Sequence, residues 1–448
     1  MTRTHLFEVS TLFGLATLKA ALDAGLFPDA GKRVLVVSNN AAVPEAVADL
    51  AESPAFTPLA EPFDQVVSFN AAIAPLHPSA WLPSEAEMPL WERYFRLQWD
   101  LCDEPVHLVV ESIQVSPAQS LAWSFPQASI DVYADGLMSY GPTRNKILSE
   151  VGSRIERLLH LDLVPGLAPL LLEEFGVTRQ IIPSEPFLAV LAGLGATAEL
   201  PRQTGRTALL LGQYLSPLGL MTNAQEEALH TQMLEAAVGR GFDRIVFKPH
   251  PTAPTELAGP MLERAAELNA DVEVFTAPVL AETLFDRADI GLVVGCFSTA
   301  LMTAQALYGL PVVRVGTEQL LTALKPFPNS NRIPLVIIDS LVAGPEAPAR
   351  LSVPEVARLI EAVGFVMQPE VLSHRRAAAG DWLWEHGAAE ARFFPPVRLG
   401  ELGLPGGRQT LKTRLAPTLR RAARSAYAIE RRLEERLMGP IRGVPGGG

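Results

Sequence analysis

Short apolar runs alternate with amphipathic stretches along most of this chain. His5–Val9 (HLFEV) predicts a first strand. A small-residue turn at Ser10 and a helix over Leu12–Ala21 follow it. Arg33–Val37 (RVLVV), Gln65–Phe69 (QVVSF), Val106–Glu111 (VHLVVE) and Ile130–Tyr133 (IDVY) predict four more strands, with a helix around Met88–Leu101. Strands alternating with helices argue for parallel βαβ units. Continuous rather than alternating apolarity argues for a sheet covered on both faces.

The rhythm stops at the turn-rich segment Leu200–Gly205 (LPRQTG) and then restarts. Ala208–Leu211, Arg244–Phe247, Val272–Phe275, Ile290–Val294, Pro311–Val315 and Pro334–Ile338 predict strands. Glu226–Arg240, Ala281–Arg287 and Val353–Phe365 predict helices, and His374–Ala391 carries two Trp residues. The expectation is an α/β protein with two Rossmann-like lobes facing a cleft and a C-terminal helical extension. Boundaries fall at 1–200 for an acceptor-side lobe and 206–345 for a donor-side lobe. Helices crossing the lobes would occupy 346–395, and a tail 396–448. Trp382 and Trp384 read as core residues.

Composition narrows the function. The 448 residues exceed one compact core and are 48% hydrophobic, so the chain is globular. A net charge of −12 argues against nucleic acid as a partner, since phosphates demand a basic face. Two cysteines, Cys102 and Cys296, stand far apart without metal-ligand spacing, which suits a reducing compartment. No cleavable leader and no spanning run of about 18 apolar residues are seen, so a cytoplasmic place is expected. The tail differs: residues 408–442 hold ten Lys/Arg against three Glu, with Leu411, Leu415, Leu419, Ile429, Leu433 and Leu437 at helical spacing. Such a basic amphipathic helix can lie on an anionic membrane surface, or pack on a protein.

Three motifs carry candidate chemistry, each at the carboxyl end of a predicted strand, where doubly wound folds place their ligands. In Tyr133–Gly136 (YADG), Asp135 can take a proton from an acceptor hydroxyl. Gly136 would permit a sharp turn and close approach of a sugar. The pair also suits an ordinary turn. In KPHP, prolines 249 and 251 flank His250, which with Lys248 suits a departing phosphate. In CFST, Ser298 and Thr299 open a helix whose N-terminus can hold an anion, after a turn at Gly295. Gln213 could meet the donor, and Ser10 and Thr11 the acceptor side. No Walker loop, GxSxG, HExxH or Asp-x-Asp motif is present.

An acidic-Gly motif, a His-Pro motif and a Ser/Thr motif in this order resemble those of bacterial sialyltransferases, and of the capsular polysialyltransferase family most. The opening FEVSTLFGLATLKAAL resembles that family too, and the likeness spans about residues 1–395. It implies a GT-B glycosyltransferase architecture and an inverting transfer from CMP-sialic acid, or a related nonulosonic acid, without metal or other cofactor. The acceptor would be a hydroxyl of a surface glycan or glycolipid, with the enzyme peripheral on the inner membrane face. Carried over, the general base falls on Asp135. The phosphate-contacting His-Pro pair falls on His250 and Pro251, and the phosphate-holding hydroxyls on Ser298 and Thr299. The motif's first acid is Ala134 here. Two other readings fit the same chain: a GT-B enzyme using another nucleotide sugar, and a catalytically inactive glycan-binding relative.

Overall fold

A computed structural model describes residues 3–408 apart from 45, 46, 48, 135, 203–204 and 251–257, and it omits the side chain of Thr197. Asp135, Pro251 and the basic tail from residue 409 therefore lie outside the described residues. The chain divides into two compact units, 1–376 and 377–448. Both sheets belong to the first.

The first sheet has seven strands: β1 (Arg3–Val9), β2 (Ala30–Val37), β3 (Gln65–Ser68), β4 (Val106–Val110), β5 (Ser129–Ala134), β6 (Ile155–Leu161) and β7 (Thr178–Ile182). All pair in parallel in the order β3-β2-β1-β4-β5-β6-β7. One face buries Leu6, Val34, Val36, Leu108, Val110, Ile130 and Val132 beneath the aromatic residues Phe69, Phe95, Trp99 and Phe125. The helices Leu12–Asp23 and Ser184–Thr197 pack on each other, with Phe13 edge-on to Phe187 at 5.5 Å. Burying both faces is why β1, β2 and β4 read as continuous apolar runs.

The second sheet has five: β8 (Thr207–Leu211), β9 (Arg244–Lys248), β10 (Asp271–Val274), β11 (Ile290–Gly295) and β12 (Val312–Arg314). They too are parallel, in the order β10-β9-β8-β11-β12. In each sheet the order reverses direction once, between β1 and β4 and between β8 and β11. Those reversals open the crevices that doubly wound sheets use for ligands.

Several expectations need correction. Pro334–Ile338 is no strand: it lies in the helix Arg332–Leu341, buried from Arg332 to Ser340. A helix buried all round has the same continuous apolarity as a buried strand, and Pro334 sits in its first turn, where proline is tolerated. Ala281–Arg287 contracts to a single 3-10 turn at Ala281–Leu284. Strands β6 and β7 went unpredicted because polar residues interrupt both, and β7 is a largely exposed edge. Trp382 is buried, but Trp384 is 83% exposed. Two residues apart on the helix Arg376–His386, they face opposite ways.

After the second sheet the chain returns to the first. In the helix Val353–Met367, Gly364 abuts Leu170 and Pro142. Gln368 Nε2 donates to the Arg144 carbonyl at 3.1 Å. Arg375 forks onto both carboxylate oxygens of Glu173 at 2.8 and 2.9 Å.

Candidate active site

The site grows from the two sheet reversals. In the second sheet, Gly212 leaves β8 with its N–H on the Lys248 carbonyl (2.9 Å). A Cβ there would meet the Pro249 backbone at 3.0 Å, so only glycine lets the two loops lie this close. Gln213 follows, and its Oε1 accepts the Phe297 N–H at 3.3 Å, tying the β8 loop to the CFST loop. Tyr214 stacks on the His250 imidazole, centroids 5.7 Å apart. Glu226, fully buried in the helix Asn223–Val238, accepts from Leu215 N, Ser216 N and Ser216 Oγ at 2.9, 2.8 and 2.6 Å. One carboxylate thereby fixes the loop that carries Tyr214 under His250. Burial lowers the His250 pKa from its ordinary value, and Glu226 opposes the shift.

Ser298 caps the helix Thr299–Tyr308, its Oγ accepting the Ala300 N–H at 3.3 Å. Gly295 is the last residue of β11, and its Cα faces Leu211 and Leu301. Lys248 is buried at the end of β9. Its Nζ donates to the Ala277 carbonyl at 2.9 Å and lies 5.4 Å from the Phe275 ring. Burial depresses its pKa to about 8 while Glu282 pulls the other way.

In the first sheet, Ser10 donates twice to Glu111 Oε2, from Oγ at 2.6 Å and N at 3.1 Å. Thr11 caps the following helix by accepting the Gly14 N–H at 2.9 Å. Glu111 N donates to Glu8 Oε2 (3.1 Å), Ser38 Oγ donates to Glu8 Oε1 (3.1 Å), and Tyr133 Oη donates to the Glu8 carbonyl (3.0 Å). Two carboxylates thus share the β1–β4 crevice. Burial, and then the neighbouring Glu111, raise the Glu8 pKa to about 8. Burial likewise raises that of Glu111.

The two lobes meet at the motifs. Gly136 stands so close to Thr299 that a Cβ on it would lie 3.1 Å from Thr299 Oγ1. Its φ of −143° is ordinary extended backbone. The sharp turn expected of Gly136 is not what it provides; it provides close approach, toward Thr299. The YADG and CFST segments are therefore adjacent, and Gln213 joins the latter to the loop that bears Tyr214 and His250. A cavity of about 150 Å³ opens beside them, lined among others by Glu111, Ala134, Gly136 and Arg144 and by Ile333 from the second lobe's side. Glu111, the residue after β4, brings a carboxylate to this cavity, while β5 lines it with Tyr133 and Ala134.

Sequence reasoning passed over Glu8, Glu111, Arg144, Tyr214 and Glu226. The first two had a signal: each is an acid at or next to the carboxyl end of a largely apolar run, HLFEV and VHLVVE. Among the described residues no group of His, Cys, Asp and Glu has the arrangement of a metal site. No helix among them is long and apolar enough to cross a membrane.

The model of the alpha-2,8-polysialyltransferase family matches residues 5–317. The chain belongs to that family. It is accordingly a glycosyltransferase of the sialyltransferase type, and its two parallel sheets are the doubly wound α/β lobes that the sequence predicted. A comparison with curated protein sequences returned no match. Among solved structures it is similar to Acinetobacter baumannii MurG, at 10% identity and a TM-score of 0.37, covering 84% of this chain and 94% of that one. It is similar to TcCGT1 in complex with UDP, at 12% identity and 0.41, covering 88% and 98%. A Rickettsia africae glycosyltransferase gives 9% identity and 0.39, covering 87% and 98%.

Proposed function

We propose that this member of the polysialyltransferase family transfers sialic acid, or a related nonulosonic acid, from a CMP-sugar to a hydroxyl of a glycan or glycolipid. The observation that carries the reading is the adjacency of Gly136 and Thr299, which brings the acid-bearing and hydroxyl-bearing motifs to one place. Asp135 takes the proton of the acceptor hydroxyl. The hydroxyl oxygen then attacks the anomeric carbon on the face opposite the phosphate, and the bond to the CMP phosphate breaks with inversion. His250, Ser298 and Thr299, with the free N–H groups of the helix Thr299–Tyr308, stabilise the departing phosphate. Pro251 stiffens the His250 loop, while Gln213 and Gly295 set the backbone around the phosphate.

Lys248 enters as a cation behind β9, and Ser10 and Thr11 as framing of the acceptor side. No metal or other cofactor takes part. The acceptor is met at a cytoplasmic membrane surface, to which the basic segment 408–442 adheres. Thermal shift with a panel of nucleotides tests the donor. CMP should raise Tm most. An equal or larger shift with UMP, UDP or ADP would assign the fold to another nucleotide sugar.

A further inference from the structure

Glu111 stands one residue beyond β4, and β4 pairs with β5 in register, Val110 beside Val132. The carboxylate therefore comes up alongside the YADG turn. It lines the 150 Å³ cavity together with Ala134 and Gly136, the residues on either side of Asp135. Ser10 fixes one of its oxygens: Oγ and N both donate to Oε2, at 2.6 and 3.1 Å. Oε1 has no hydrogen-bond partner among the described residues and is not sealed off from solvent. One oxygen is anchored and the other is left for the cavity.

Glu111 is the only acid on the described wall of that cavity. Ser112, Gln114 and Ser330 can exchange hydrogen bonds there, but none of them takes up a proton near neutral pH. Ser139 and Tyr133 spend their hydroxyls as donors to the Gly136 and Glu8 carbonyls, at 2.9 and 3.0 Å. Behind Glu111, Glu8 is buried and its pKa is held at about 8. At neutral pH the deeper carboxyl thus keeps its proton and the cavity-facing one carries the charge.

Ala134 leaves the YADG turn with a single acid, and Glu111 offers a second from the neighbouring strand. Two carboxylates at one small cavity repel each other, and one captured proton relieves the repulsion. Such a pair is a better proton acceptor than either acid alone. We propose that Glu111 is a catalytic residue that completes a carboxylate pair with Asp135, and that this pair receives the proton of the acceptor hydroxyl. The inference rests on the transfer proposed above. As the acceptor oxygen bonds to the anomeric carbon, its O–H bond breaks and that electron pair stays on oxygen. The bond from the anomeric carbon to the phosphate oxygen breaks, and CMP leaves with its electrons. The proton goes to the pair, which passes from doubly to singly charged.

Steady-state release of CMP from CMP-sialic acid, with sialyllactose as the acceptor probe, tests this as a function of pH in the full-length protein. Glu111→Gln keeps the shape and an oxygen for Ser10 while removing the ionisation. Its kcat should fall about a hundredfold with KM little changed. The repulsion that raises the pair's pKa is then gone, so the acid limb of kcat/KM should move down by about one pH unit. Adding Ala134→Glu to Glu111→Gln returns a second acid to the cavity from β5 and should recover at least about tenfold. A Glu111 that only held Ser10 would shift no acid limb and gain nothing from an acid at position 134. Wild-type kcat in Glu111→Gln, an unmoved acid limb, or no recovery in the double variant would overturn the proposal. If Glu111→Gln loses its native circular dichroism, Glu111→Asp decides: the shorter acid should lower kcat at unchanged KM, and wild-type kcat would contradict the role. Absence of CMP release from wild type would remove the proposed reaction and this inference together. Release by wild type with an unaltered rate and pH profile in Glu111→Gln would remove this inference alone.

Discussion

Glu8 is the residue on which burial acts most clearly. It sits fully inside the first sheet, and desolvation with Glu111 beside it holds its pKa at about 8 against an ordinary 4.5. A raised folded pKa means the native state binds more protons than the unfolded one between those values. Its contribution to stability is therefore complete below about pH 4.5 and lost as pH climbs toward 8. Glu8→Gln keeps the shape and removes the ionisation. Its Tm relative to wild type should rise between pH 5 and pH 8, equivalent to on the order of 3 kcal/mol. A constant difference across that range would show that Glu8 does not titrate there. At this scale the sequence was partly legible. An acid within HLFEV is conspicuous, but its pairing with Glu111, 103 residues away, depends on β1 and β4 lying side by side.

The elements that form the site are loops held by side chains from helices. Glu226 does this for the loop after β8, satisfying three donors with one carboxylate. Glu226→Gln replaces one acceptor oxygen by an NH2 group facing an N–H, which should cost about 1–3 kcal/mol. It also removes the negative charge that favours the protonated form of His250, so the His250 pKa should fall further. Denaturant unfolding and an NMR titration of His250 check both effects. Unchanged stability together with an unchanged titration would mean that Glu226 neither holds the loop nor faces His250. Strands such as β2, β4 and β8 were legible because burial on both faces leaves an unbroken apolar run. The helix Arg332–Leu341 was misread for the same reason: burial on all sides hides its period. The edge strand β7 stayed hidden because exposure leaves it polar.

Within residues 1–376 the two sheets repeat one design, with a reversal of strand order opening a crevice at the carboxyl ends. That design and the placement of all three motifs at strand ends were legible, because both follow from the succession of strand, turn and helix. The mutual approach of the motifs was not, since it depends on packing between lobes: Thr299 against Gly136, and the helix Val353–Met367 returning to Leu170 and Pro142. The return is clasped by Glu173, which takes Arg375 in a forked pair and His374 at 2.6 Å. The proposed reaction, release of CMP as an acidic sugar moves to its acceptor, belongs to both lobes together. Its most direct test is incubation of the purified protein with CMP-sialic acid and an acidic glycan acceptor, with CMP release and product followed together. Wild type should release CMP and extend the acceptor, with activity persisting in EDTA, while folded Asp135→Ala and His250→Ala each lose at least about a hundredfold. CMP release at the wild-type rate in either variant, or none in the wild type, would contradict the account.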